Sequence, residues 1–161
     1  MPGGSMCYQP RLIEAHDHSA VAQLWHDAWH EAHARHVPAE LTAMRSLTAF
    51  LHRIVAMGDR ARIIGPEGAP LGFCAINGRQ IDQLFVAAAA RGTGVAAALL
   101  TDAEERMRTA GVAAAYLDCI PQNAAAIRFY EKMGWFSTGI HPVILSGSIT
   151  LDCVAFTKSL S

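Results

Sequence analysis

Residues 84–100, LFVAAAARGTGVAAALL, run from an apolar strand through a turn bearing Gly92 and Gly94 directly into an alanine-rich helix. That order can seat an anion. The first N–H groups of a helix lack intrahelical partners and carry partial positive charge, so a phosphate placed there meets aligned donors. Glycines at 92 and 94 keep side chains away from those donors. Histidine supplies the other chemical signal, since His26, His30 and His33 fall at i, i+4 and i+7 on one helical face, read as opposite the Trp25 and Trp29 stripe. The pair in HEAH, His30 to His33, is one residue short of the H-E-x-x-H zinc spacing. Cys7, Cys74, Cys119 and Cys153 are scattered without a C-x-x-C. No metal site is expected.

A second segment, NAAAIRFYEKMGW at 123–135, follows the cradle about thirty residues later. Together the two resemble the GCN5-related N-acetyltransferases, which move acetyl groups from acetyl-coenzyme A to amines. The cradle of that family reads Q/R-x-x-G-x-G/A, matched by Arg91, Gly94 and Ala96; its later helix reads roughly N-x-x-A-x-x-F-Y-x-x-x-G-F/W, matched by Asn123, Ala126, Phe129, Tyr130, Gly134 and Trp135. The likeness is specific from about Ile81 to Trp135 and loose outside Gly72 to Gly139. Ala87 to Ala90 departs from the proline and aromatic residues often found before the cradle, and Ala96 stands where glycine is usual.

The resemblance implies an acetyl-coenzyme A donor held by Leu84, Phe85, Val86, Arg91, Gly92, Thr93, Gly94, Val95, Ala96, Asn123, Ala126, Phe129 and Tyr130. It implies direct attack of a primary amine on the thioester in a ternary complex. A lysine-like amine, with a pKa near ~10.4, arrives protonated at neutral pH and needs a base. Asp82 is the candidate, by strand parity with Leu84 and Val86 and by likeness to small-amine members; Gln80 stands where histone-type members carry glutamate. The backbone N–H of Val86 is the family-like donor to the oxyanion. Tyr130 is where the family keeps the acid that serves the departing thiolate. Trp29, His30 and His33 are candidates for the acceptor wall. Each has a plainer alternative: a solvated Asp82 beside a hairpin, a Tyr130 on the core stripe with Ile127 and Met133, and a solvent-facing histidine row.

Composition bounds the partners. Lys plus Arg is 13 against Asp plus Glu 14, which leaves no basic excess for nucleic acid or an anionic membrane. No stretch reaches the ~20 apolar residues of a membrane span, and the first residues lack a signal-peptide core. A reduced, cytoplasmic chain is expected, taking a small-molecule amine, with a homodimer as the assembly frequent in the family. A peptide or protein acceptor, and a catalytically silent acyl-coenzyme A binding module, stay open as alternatives.

The elements that must position these residues read as a flexible lead over 1–8 and a single domain over 9–161. The pattern predicts a strand at Arg11–Glu14, and a helix from an N-cap at Ser19 to about His33 with Val21, Leu24, Trp25, Ala28, Trp29 and Ala32 inward. A second helix follows Pro38, with Phe50, Leu51, Ile54 and Val55 inward and Gly58 as its stop. Strands follow at 61–65 and 71–76, then Asn77-Gly78 turns into a strand from Gln80 to Val86. After the cradle come a helix to Gly111, a strand at 112–119, the Asn123 helix, and strands at 136–141 and 149–157. The order βααβββαβαββ predicts an α/β (α+β) fold with a mixed, mostly antiparallel sheet of about seven strands flanked by helices. A dinucleotide-binding reading of Gly92, Gly94 and Ala97 with Asp118 as the ribose acid competes. Too few βα units follow Gly94 to build that fold.

Overall fold

The computed structural model describes residues 8–161, so the proposed lead at Pro2–Ser5, and Cys7 with it, lie outside the described residues. Seven strands form one sheet: β1 Arg11–Leu12, β2 Ala61–Ile64, β3 Gly72–Asn77, β4 Gln80–Val86, β5 Ala114–Cys119, β6 Phe136–Ile144 and β7 Thr150–Ser159. Their order is β1-β2-β3-β4-β5-β7-β6. Among the described residues five α-helices complete it: α1 His18–His33, α2 Ala39–Met44, α3 Leu47–Met57, α4 Val95–Thr109 and α5 Ala124–Lys132. Every neighbouring pair is antiparallel except β4 with β5, the two strands that flank α4. A doubly wound nucleotide fold is excluded by that topology, because it needs a run of parallel pairings.

Helices cover both faces. Trp25 and Trp29 of α1 join Phe50 and Ile54 of α3 against Ile63, Phe73 and Ala75 of the sheet. On the other face Val95, Leu99, Leu100 and Met107 of α4 meet Leu117, Tyr130, Trp135 and Phe156. The i, i+3, i+4 spacing in α1 and α4 explains why each helix buries one stripe.

Several sequence expectations shift. The first strand shrinks to Arg11–Leu12, because Glu14 and Asp17 form a reciprocal capping box that turns the chain into a short 3-10 turn. This turn leads straight into α1, so Ser19 lies inside the helix and does not cap it. The helix predicted after Pro38 is two helices, since Ser46 caps α3 by accepting from Ala49 N at 3.1 Å. Phe50, Ile54 and Met57 then face inward at i, i+4 and i+7, which leaves Val55 51% exposed, contrary to its inward assignment.

Candidate functional site

The sheet opens where β4 and β5 part. Gln80 and Tyr116 form the single bridge between them, while β4 stays paired to β3 along its whole length. Ala87 N donates to Leu71 O at 2.8 Å on the β3 side, so the alternation of an antiparallel strand turns the Val86 N–H the other way, into the opening. A cavity of about 220 Å³ occupies this region. Gln80, Asp82, Leu84 and Phe85 line it from β4, Asp118 and Cys119 from β5, Asn123, Ala126 and Tyr130 from α5 and its cap, and Trp29, His33, Arg45 and Arg53 from the helical side.

Asp82 owes its position to an irregularity. The β3–β4 register pairs Ala75 with Gln83 but Ile76 with Ile81, so Asp82 is the extra residue of a β-bulge. Bulges re-aim side chains beside sites. Simple parity with Leu84 and Val86 therefore breaks at Asp82: Ile81 joins Leu84 and Val86 in the α4-side core, and the carboxylate lines the cavity.

The cradle lies at the end of β4. Gly92 and Gly94 both have φ in the left-handed region, at +75° and +93°, which side chains rarely adopt. A Cβ at Gly92 would meet nothing within 4 Å, and at Gly94 only the Tyr8 ring at 3.9 Å. The backbone is thus laid bare on its outer side. Gly94 caps α4, and the first N–H groups of that helix, from Val95 and Ala96, open onto the exposed loop. Thr93 Oγ1 donates to Ala90 O and fixes the turn. The Val95 side chain is core, 1% exposed, so this residue offers the site only its backbone. Arg91 reaches α1, where its Nη1 donates to Glu31 Oε1.

Tyr130 is placed by the end of α5. Asn123 caps that helix, accepting from Ala126 N at 3.2 Å. Beyond its last turn Trp135 Nε1 donates to the buried Glu104 at 3.1 Å, and Lys158 Nζ donates to the other Glu104 oxygen at 2.8 Å and to Met133 O at 2.9 Å. These bonds join α4, α5 and β7 into one unit behind Tyr130. The phenol ring packs against Trp135 and Phe156, while its hydroxyl has no hydrogen-bond partner among the described residues. Burial, with Cys119 and Cys74 nearby, drives the Tyr130 pKa upward and keeps the group a phenol. Phe129 and Val86 border this core without lining the cavity.

The histidine row does not face solvent opposite the tryptophans. His33 stacks on Trp29 with ring centroids 5.2 Å apart, and its Nδ1 meets Trp29 O at 3.2 Å. Burial there lowers the His33 pKa, favouring the neutral ring. His30 Nε2 bonds to Arg45 O at 2.7 Å and does not line the cavity, and the His26 ring packs at a tilt against His30, centroids 4.2 Å apart. Among the described residues no group of three His, Cys, Asp or Glu side chains is arranged to hold a metal ion.

Three charged lining groups escaped the sequence reading. Arg45 precedes the α3 cap, Arg53 lies within α3, and Asp118, read only as a possible ribose acid, accepts His141 Nε2 at 2.6 Å. None belongs to a spacing pattern that signals chemistry; only the fold brings them together.

Residues 18–135 match the family described as Acetyltransferase (GNAT) family. Acetyltransferase Atu2258 of Agrobacterium fabrum is 38% identical over 84 residues, covering 52% of this chain and 60% of the relative, so the match spans less than two thirds of that protein. A GCN5-related N-acetyltransferase from Rhodopseudomonas palustris superposes with a TM-score of 0.74 at 22% identity, over 97% of this chain and 99% of that one. The PaiA N-acetyltransferase of Thermoplasma acidophilum, solved with coenzyme A, gives 0.68 at 18% identity, over 96% and 99%. No helix among the described residues is long and apolar enough to cross a membrane.

Proposed function

The chain belongs to the acetyltransferase (GNAT) family, and from that premise we propose that it transfers an acetyl group from acetyl-coenzyme A to the primary amine of a small molecule, by direct attack within a ternary complex. One observation carries the reading: the cavity where β4 and β5 part holds a carboxylate and a buried phenol, and β4 itself leads on to the bare glycine cradle.

The residues present fit the coenzyme. Its pyrophosphate belongs on the backbone N–H groups from Gly92 to Ala96, where no Cβ intrudes, with Arg91 as the nearby cation. Its pantetheine arm belongs along Leu84 to Val86, with Asn123 and Ala126 opposite. The PaiA structure, of the same fold, was solved with coenzyme A, which supports coenzyme A as the ligand class. Acetyl-coenzyme A supplies an activated thioester.

This chain's own groups then divide the work. Asp82 removes the ammonium proton, directly or through a water, leaving a nucleophilic amine. The Val86 N–H donates to the carbonyl oxygen as charge grows there. Tyr130, held protonated by burial, donates to the departing sulfur; a thiolate of pKa near ~8.5 leaves more readily with a phenol at hand. Trp29 and His33 wall the acceptor side.

Release of free thiol tests the proposal. The chain, incubated with acetyl-coenzyme A and a panel of primary amines, should release coenzyme A and yield N-acetylated products by mass spectrometry. Acetyl-coenzyme A should raise the melting temperature, NAD should not, and Gly94→Glu should abolish the shift by placing a charged side chain in the cradle. EDTA should change neither activity nor melting. Binding without product for any amine would favour a silent acyl-coenzyme A sensor.

A further inference from the structure

Arg45 is 8% exposed, and its Nε has no hydrogen-bond partner among the described residues. Its Nη1 donates to Ser146 Oγ at 2.9 Å, from the α2–α3 connection to the β6–β7 loop, and its guanidinium lies 5.9 Å from the Trp29 ring centroid. Arg53, one α-helix further along, lies 4.3 Å over the Trp25 ring. Both line the cavity, and among the described residues neither is in an ion pair. Burial lowers the pKa of each, bringing that of Arg53 down to about 10, and the two repel one another. A guanidinium withdrawn from water without a counter-charge is costly. Arg45 is buried and Arg53 half-buried, and the pair on one wall calls for an anion from outside the chain.

The carboxylates of the cavity do not fill that role. Asp118 already holds His141, and Asp82 attracts Arg53 electrostatically without forming an ion pair. The lining is therefore bipolar, with cationic forks on the α2–α3 wall and the Asp82 carboxylate on β4. Its charges are complementary to a zwitterion.

We propose that the acceptor is a small amine that also carries a free carboxylate, an amino acid in the broad sense, whose carboxylate is bound by Arg45 and Arg53 while its ammonium group faces Asp82. This deepens the acetyltransferase reading and rests on it. Arginine suits the task because its planar fork matches a carboxylate bidentately. Polycationic amines would meet two like charges and are disfavoured. Peptide N-termini, whose α-carboxylate is consumed in an amide bond, lack the recognised group.

The test compares each amino acid with its own carboxamide, and with a dipeptide beginning with the same residue, in the thiol-release assay. The best acid should exceed its carboxamide in kcat/KM by about 10²-fold, and the dipeptide should behave like the carboxamide. Arg53→Gln and Arg45→Gln should each collapse that ratio toward one through KM, with Arg53→Lys intermediate. Ser146→Ala removes the tether and keeps the Arg45 charge, so it should preserve the acid preference; a collapse equal to that of Arg45→Gln would reduce Arg45 to a structural strut and overturn the proposal. Equal use of acid and carboxamide would overturn it as well. A second readout needs no turnover: with coenzyme A present, N-acetyl amino acids should stabilise the protein against melting more than their carboxamides, and Arg53→Gln should remove the difference. If no amine is acetylated yet this difference holds, the transfer reading fails and carboxylate recognition stands; if neither is seen, both fail.

Discussion

Arg91 donates from Nη1 to Glu31 Oε1 at 2.5 Å, so the cation at the mouth of the cradle is engaged by α1. Both side chains are about half exposed, at 48% and 56%, and such a pair contributes little to folding. Its effect falls on the ligand, because Glu31 competes with a phosphate for Arg91. Glu31→Gln should tighten coenzyme A binding about 2- to 5-fold at low ionic strength, read by titration calorimetry, with the gain shrinking as salt is added. Weaker binding in the variant would mean that Glu31 positions Arg91 for the coenzyme.

Tyr130→Phe keeps the ring against Trp135 and Phe156. Because the hydroxyl has no partner among the described residues, melting temperature and coenzyme affinity should hardly change. Turnover should fall by about 10² to 10⁴, the range for losing one positioned acid. Unchanged kcat with every accepted amine would remove Tyr130 from the mechanism.

Asp82→Asn should show a deficit that narrows as pH rises. More of the amine then arrives neutral, and the base matters less. A deficit of constant size across pH would assign Asp82 to positioning the ammonium group.

Asp17 is 1% exposed and takes Arg11 through both oxygens, at 2.8 and 2.9 Å. The Arg11 hydrogen bonds lower its pKa from 3.8 to about 2. A depressed carboxylate stabilises the fold fully above the unfolded value and loses that contribution as pH falls toward the folded one. Asp17→Asn should therefore destabilise the protein by about 2 kcal/mol near neutrality, with the gap between variant and parent closing between about pH 4 and pH 2. Denaturant titrations across that range would read it; a gap independent of pH would assign the loss to the capping geometry alone.

The order of the elements and the bare glycine turn before α4 were legible because their signals are local. A glycine turn before a helix, and an asparagine cap seven residues before a tyrosine, are recorded in consecutive residues. The acceptor end was less so. Periodicity assigns His30 and His33 to a face but does not say that Trp29 will cover His33 or that Arg45 will offer its carbonyl to His30. Ser46 did carry a readable capping signal, and recognising it would have divided the second helix and set Arg45 in a connection. The bulge at Asp82 had no such signal, since its extra residue is defined only by the register with β3.

The lone Gln80–Tyr116 bridge gives the sheet an unusual pattern of protection from solvent exchange. Strand β4 is central in a seven-stranded sheet, where slow amide exchange is the rule. Its alternate N–H groups at Leu84 and Val86 point away from β3 and find no ladder on β5. Deuterium should enter at these two positions ahead of their neighbours Gln83 and Phe85, and bound acetyl-coenzyme A should slow Val86 selectively. Central amides that remain slow without ligand would mean that the strands close in solution. A ligand could then reach the Val86 N–H only after the two halves of the sheet had parted, and the rate of that parting would cap the rate at which it becomes fully engaged.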